Sequence, residues 1–123
     1  MSEGPHNAAM DLLGAIAERD REALVGMLAE DVVFHSPVQT YRGREQVIHL
    51  FVTIGSVLDR VEVTRGVDGV TFFEAHVEEY PVDGVIDQRV GEDGMIAEVT
   101  LMLRPLPGLQ AAVARMARAL AKP

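Results

Sequence analysis

The chain has 123 residues, 48% of them apolar, enough for one buried core and too few for two independent domains. Its formal charge of -8, with the basic residues scattered, repels phosphate backbones and argues against nucleic acid as a partner. With no cysteine there is no disulfide, thiolate metal site or cysteine nucleophile. The longest apolar runs fall well short of a membrane span, and the opening MSEGPHNAAM lacks the basic-then-apolar order of a secretory signal. A cytoplasmic protein with no membrane association is expected.

Residues 1–6 read as a flexible tail and 7–123 as one domain. From Asn7 to Glu18, Ala9, Leu12, Leu13, Ile16 and Ala17 recur at helical spacing. Asp20 suits the N-cap of a short second helix over Arg21 to Leu28. Val32 to His35 reads as a strand stopped by Ser36-Pro37, and Gly43 then admits a third helix from Arg44 to about Gly55. Beyond Arg60 the period becomes two, with Asp68-Gly69, Asp83-Gly84 and Asp93-Gly94 reading as hairpin turns. They divide the segment into strands over Arg60 to Gly66, Val70 to Tyr80, Val85 to Val90 and Met95 to Arg104. Pro105, Pro107 and Gly108 end the sheet, and Leu109, Ala112, Val113, Met116 and Leu120 form the stripe of a last helix. The order predicts an α+β fold with helices on one face of a meander.

Glu30 to Val47, EDVVFHSPVQTYRGREQV, resembles the signature of the nuclear transport factor 2-like superfamily, which includes ketosteroid isomerases, SnoaL-like polyketide cyclases and limonene epoxide hydrolases. The likeness runs from Asn7 to Arg104. It implies a curved antiparallel sheet wrapped around the N-terminal helices, a cone-shaped, cystatin-like fold with a pocket inside. It also implies a homodimer formed through the outer sheet face. The C-terminal helix is an addition that would close the cone's mouth or pack on a partner.

The resemblance also says where the family's chemistry would sit. The isomerase base is a carboxylate just before the proline of the first strand, a position held here by Ser36, which cannot shuttle protons near neutral pH. The oxyanion tyrosine aligns with Leu12, and its partner aspartate falls at Ile86 or Asp87. The last strand, EVTLMLRP, lacks the carboxylate of the epoxide hydrolases. Asp87 and Arg89 share a strand face and read as an exposed ion pair, with membership of such a triad as the alternative.

The strand VTFFEAHVEEY, Val70 to Tyr80, has two faces. Burial alone turns Phe73, Ala75 and Val77 toward the helices. The family register, matching Val82-Asp83-Gly84 to a hairpin, instead turns Glu74, His76, Glu78 and Tyr80 into the cone. In that case His76 becomes the candidate base, with Glu74 or Glu78 orienting its ring; the plainer alternative is a polar strand face. The histidines at 6, 35, 49 and 76 have no metal-binding spacing, so no metal and no cofactor are expected.

Leu12, Ile16, Phe34, Phe51, Val90 and Leu101 or Leu103 would give the cone aliphatic and aromatic walls, with Ser36, Tyr41 and Tyr80 as polar contacts. The expected function is binding of a small, mostly apolar molecule by a SnoaL-like protein. The alternatives are an isomerase, cyclase or hydrolase with a His/Glu acid-base pair, and a non-catalytic dimerisation or adaptor module.

Overall fold

Asp20 separates the first two helices because its side chain accepts a hydrogen bond from the backbone N–H of Ala23 at 3.1 Å. This cap sits between α1 (His6–Glu18) and α2 (Arg21–Met27), with Arg19 at φ 57° making the bend. The computed structural model describes residues 6–121, with side chains from residue 12 onward. The expected tail lies outside the described residues except for His6, which already belongs to α1.

Then follow β1 (Leu28–His35), β2 (Thr40–Arg42), α3 (Arg44–Val57) and β3 (Asp59–Val67). The chain closes with β4 (Val70–Val77), β5 (Tyr80–Val90), β6 (Ile96–Arg104) and α4 (Leu106–Ala121). The six strands form one sheet in the order β2-β1-β6-β5-β4-β3. Every pairing is antiparallel except β1 with β6, which is parallel. Irregular register in the β1–β6, β3–β4 and β5–β6 ladders supplies the bends of a curved sheet.

Among the boundaries that differ from the sequence reading, α4 begins at Leu106 and so includes Pro107 and Gly108, and two others lie at the start of the sheet. β1 begins at Leu28 rather than Val32, where the ladder slips between Leu28 and Val33 and Arg44 donates to the Leu28 carbonyl at 3.3 Å. Strand β2, in the stretch between Ser36-Pro37 and Gly43 where the sequence reading has no element, pairs back on β1 with Phe34 opposite Tyr41 and His35 opposite Thr40. Gly43, at φ 97°, then makes the positive-φ step into α3 that a side chain would strain.

The larger correction concerns the third hairpin. Asp83-Gly84 is not a turn: both residues lie inside β5, with Gly84 opposite Phe73 on β4 and Leu103 on β6. The chain reverses at Glu78 and Glu79, where Val77 pairs with Tyr80 and Glu78 adopts φ 57°. Gly84 is needed for space. A Cβ there would stand 2.6 Å from the Phe73 ring and 2.8 Å from the Met102 carbonyl oxygen. Asp68-Gly69 and Gly94, by contrast, do occupy positive φ at their turns.

With that register, alternation turns Thr71, Phe73, Ala75 and Val77 of β4 inward with Val82 and Ile86 of β5, all buried. α1 covers β3, β4 and β5, while α3 packs on α1 and β1. The helices meet so closely that a Cβ on Gly55 would collide with the Ile16 carbonyl. α4 returns over the other end of the sheet, against α3, β4, β5 and β6. No described helix is long and apolar enough to cross a membrane.

Alanine normally improves on glycine inside a strand. Gly84→Ala is expected to do the reverse and cost about 1–3 kcal/mol by overpacking against Phe73, read as a lower urea midpoint at unchanged slope.

Candidate functional site

α1 and α3 cover one end of the inner sheet face, and α4 closes the other without filling it. A cavity of about 200 Å³ remains between α3, α4, the β1–β2 turn and the inner face of β6. Leu50, Ile54 and Val57 of α3 form one wall, Phe34, Leu101 and Leu103 the floor, and Leu109, Ala112, Val113, Met116 and Leu120 of α4 the roof. The roof is the stripe already visible in the sequence, and it lies over the cone's mouth, one of the two expected roles of α4. A second void of about 10 Å³ lies deeper, beside Ile16, Phe51 and Phe73, and shares Phe34, Ile54, Leu58 and Leu101 with the first.

α4 is held there on its opposite side. Glu78, at the tip of the β4–β5 hairpin, lies 3.3 Å from Arg115 and 3.6 Å from Arg118. Gly108 sits in the first turn of the helix so close to Val82 that a Cβ would overlap it. The hairpin therefore grips one side of α4 and leaves its apolar side facing the cavity.

Among the described residues, Ser36 and Tyr41 carry the cavity's side-chain polar groups; no carboxylate, imidazole, ammonium or guanidinium lines it. Ser36 is fully engaged in its turn. Its Oγ donates to the Gln39 carbonyl at 2.8 Å and accepts from the backbone N–H groups of Val38 and Gln39, both at 3.1 Å. That is a turn-forming serine, as its Ser-Pro context implies, with no base beside it. Tyr41 stacks near Phe34 at 6.3 Å between ring centroids, and its Oη accepts from Gln39 Nε2 at 2.9 Å. Phe34 meets Phe51 edge-on at 4.8 Å and is buried, so it is core as well as floor.

The expected ligand residues divide accordingly. Phe34, Ser36, Tyr41 and Leu101 line the main cavity, whereas Ile16 and Phe51 line only the deep void. Leu12 is fully buried in the core and reaches neither. Tyr80 is exposed at the start of β5, and Val90 lies outside, 54% exposed. Missed from the sequence were the walls from α3 and α4, because a helical stripe shows that a face is covered and not that a gap remains beneath it.

The family register for β4 is corrected by the alternation. Glu74 and His76 lie on the outer sheet face, opposite the inward Phe73, Ala75 and Val77. The physical reason is the hairpin shift from residues 83–84 to 78–79, together with the penalty for turning Phe73, Ala75 and Val77 to solvent. His76 Nδ1 is buried without a hydrogen-bond partner, and Glu78 is committed to the arginines of α4. Of the two candidates for the isomerase-type aspartate position, Ile86 faces inward, and Asp87 faces outward, 3.6 Å from Arg89. His35 is also outward, bridging Thr40 at 3.0 Å and Glu98 at 2.6 Å. No cluster of described histidine and carboxylate side chains is arranged to hold a metal.

Known proteins place this geometry. The sequence profile of the SnoaL-like domain matches residues 9–99, and the chain belongs to that family, within the nuclear transport factor 2-like superfamily. An uncharacterised protein with a cystatin-like fold from Silicibacter pomeroyi DSS-3 is 26% identical, with a TM-score of 0.87 over 98% of this chain and 90% of that one. A steroid delta-isomerase from Pseudomonas aeruginosa is 32% identical, with a TM-score of 0.83 over 93% of this chain and 92% of its own. A protein of unknown function from Cytophaga hutchinsonii ATCC 33406 shares the fold at 12% identity, with a TM-score of 0.68 over 87% of this chain and 96% of that one. A comparison with curated proteins gives no match.

The hydrogen bonds of Ser36 predict a structural phenotype. Ser36→Ala should lower the stability to urea by about 1 kcal/mol, because the turn amides lose their acceptor, without emptying or filling the cavity.

Proposed function

We propose that this SnoaL-like protein binds a compact, mostly apolar molecule in the cavity beneath α4. The observation that carries the reading is the lining itself: an apolar space of about 200 Å³ with Ser36 and Tyr41 as its side-chain polar groups among the described residues. A dry apolar cavity of about 150 Å³ accepts a benzene-sized guest, so this one suits a single substituted ring or its aliphatic equivalent. A charged head would be desolvated there without a counter-ion, which favours neutral ligands.

The relation to a steroid delta-isomerase does not carry that reaction across. The positions that the resemblance assigns to base and oxyanion donor hold Ser36 and Leu12, and of the two candidates for the acid, Ile86 and Asp87, the inward one is Ile86. General acid-base chemistry needs a titrating group within hydrogen-bond reach of the bound molecule, and the described lining supplies none near neutral pH. Binding without turnover is therefore the reading with the most support.

The reading includes a single domain over 7–123, a cytoplasmic location and a homodimer through the outer sheet face. Support for the dimer comes from an apolar row across that face, where Phe72, Val85 and Met102 are cross-strand neighbours. Met102 is 62% exposed at the end of the row, and Arg65 stacks over Phe72 at 4.5 Å. An unpartnered row of this kind is what a second sheet would bury.

Ethylbenzene, titrated into the protein and followed by amide chemical shifts, should perturb residues of α3 and α4. Ala112→Phe fills the space and should abolish those shifts while the melting temperature holds; undiminished binding by that variant would sink the pocket assignment. Sedimentation should give the wild type twice the chain mass of 13.4 kDa, and Met102→Asp the single mass. A wild-type monomer at micromolar concentration would remove the dimer from the proposal.

A further inference from the structure

The polar groups of the cavity identify what its guest must carry, an inference that rests on the pocket reading above. Ser36 has nothing left to offer: its hydroxyl hydrogen goes to the Gln39 carbonyl and its oxygen already accepts from the N–H groups of Val38 and Gln39. Its own backbone N–H is also taken, by the Gln39 carbonyl at 2.9 Å. Tyr41, a lining residue of the cavity, differs: its oxygen accepts from Gln39 Nε2 at 2.9 Å, and among the described residues no protein acceptor takes its hydroxyl hydrogen.

The ring carrying that hydroxyl is well placed. Tyr41 is opposite Phe34 in the β1–β2 ladder, so the two rings lie on the same inward face, 6.3 Å apart and inclined by 24°. Gln39 supports the hydroxyl from outside the cavity, and an N–H donated to a phenol oxygen polarises the O–H and strengthens its donation. The ring's position on β2 is unlike the first-helix position at which the family resemblance expects a tyrosine, which is Leu12 here.

We infer that Tyr41 is a ligand-binding residue that donates a hydrogen bond to an acceptor oxygen, so that the ligand class is neutral, largely apolar molecules bearing one carbonyl or ether oxygen. The remaining walls are aliphatic or aromatic and fix only shape. Discrimination for the oxygen-bearing molecule over its hydrocarbon counterpart comes from this single group, with Gln39 as its positioning residue. In water such an oxygen is already hydrogen-bonded. A pocket without the donor would reject it, and a pocket with the donor breaks even or gains.

The test compares acetophenone with ethylbenzene, which differ at the oxygen, on the wild type and on Tyr41→Phe, which deletes only the hydroxyl. Acetophenone should bind Tyr41→Phe roughly three- to tenfold more weakly than the wild type, the range of one net hydrogen bond, while ethylbenzene binds both equally. The carbonyl stretch of bound acetophenone should lie at lower frequency in the wild type than in the variant. Equal acetophenone affinity and stretch in both proteins overturns the Tyr41 assignment and leaves the pocket reading standing. A parallel loss of both probes overturns it too, since that marks Tyr41 as a packing residue. Failure of both probes to bind the wild type overturns the pocket reading itself, and the assignment with it.

Discussion

The structure depends on one constraint: a curved sheet with a single strongly apolar face must have that face covered along its whole length. The coverage is uneven. α1 and α3 lie tightly against one end, close enough that Gly55 has no room for a Cβ beside Ile16, and within the sheet Gly84 has none beside Phe73. There the core is tightly packed, with a void of about 10 Å³. At the other end α4 bridges from the β4–β5 hairpin to α3, and its stripe of medium-sized side chains spans the gap without filling it. The cavity is thus the uncompensated remainder of the burial that makes the fold.

That origin explains the cavity's chemistry. Residues placed by the need to cover an apolar face are themselves apolar, and polar groups enter only where the chain turns at the rim, at Ser36 and on β2 at Tyr41. The ionisable side chains that stood out in the strand pattern went to the opposite face. Glu74 and His76 point outward, Glu78 and the arginines of α4 tie the roof to the hairpin, and His35 links Thr40 to Glu98 across β2, β1 and β6. Their contribution is to edges and to the outer surface. Exposed pairs such as Asp87 with Arg89 add little stability of their own.

The outer face and the cavity are the two surfaces on which a function can be built, and they are chemically distinct. The outer face carries charged rows flanking the short apolar row of Phe72, Val85 and Met102, whereas the cavity offers shape and, among the described residues, the hydroxyls of Ser36 and Tyr41. Relatives at low identity share the fold. What a pocket in this fold can hold depends on side chains at a few inward positions, which is why Ser36, Leu12 and the inward Ile86 say more about this chain than its overall likeness does.

Much of the architecture was legible in the residues. The helical stripes, the Asp20 cap, the Gly43 step, the turns at Asp68-Gly69 and Asp93-Gly94, and the apolar face of α4 are all local signals, and local periodicity and turn chemistry determine them. Asp83-Gly84 misled because glycine serves two purposes: it permits positive φ at turns and it vacates space in a core, and sequence alone does not distinguish them. Only the packing of Phe73 and the Met102 backbone on Gly84 decided for the second. That decision set the hairpin at residues 78–79, gave β4 its inward apolar face, and sent His76 outward. The size of the cavity and its α4 roof were likewise beyond the sequence. That size depends on the difference between the surface that α4 covers and the volume its side chains fill, a quantity that arises only when elements distant in the chain are brought together.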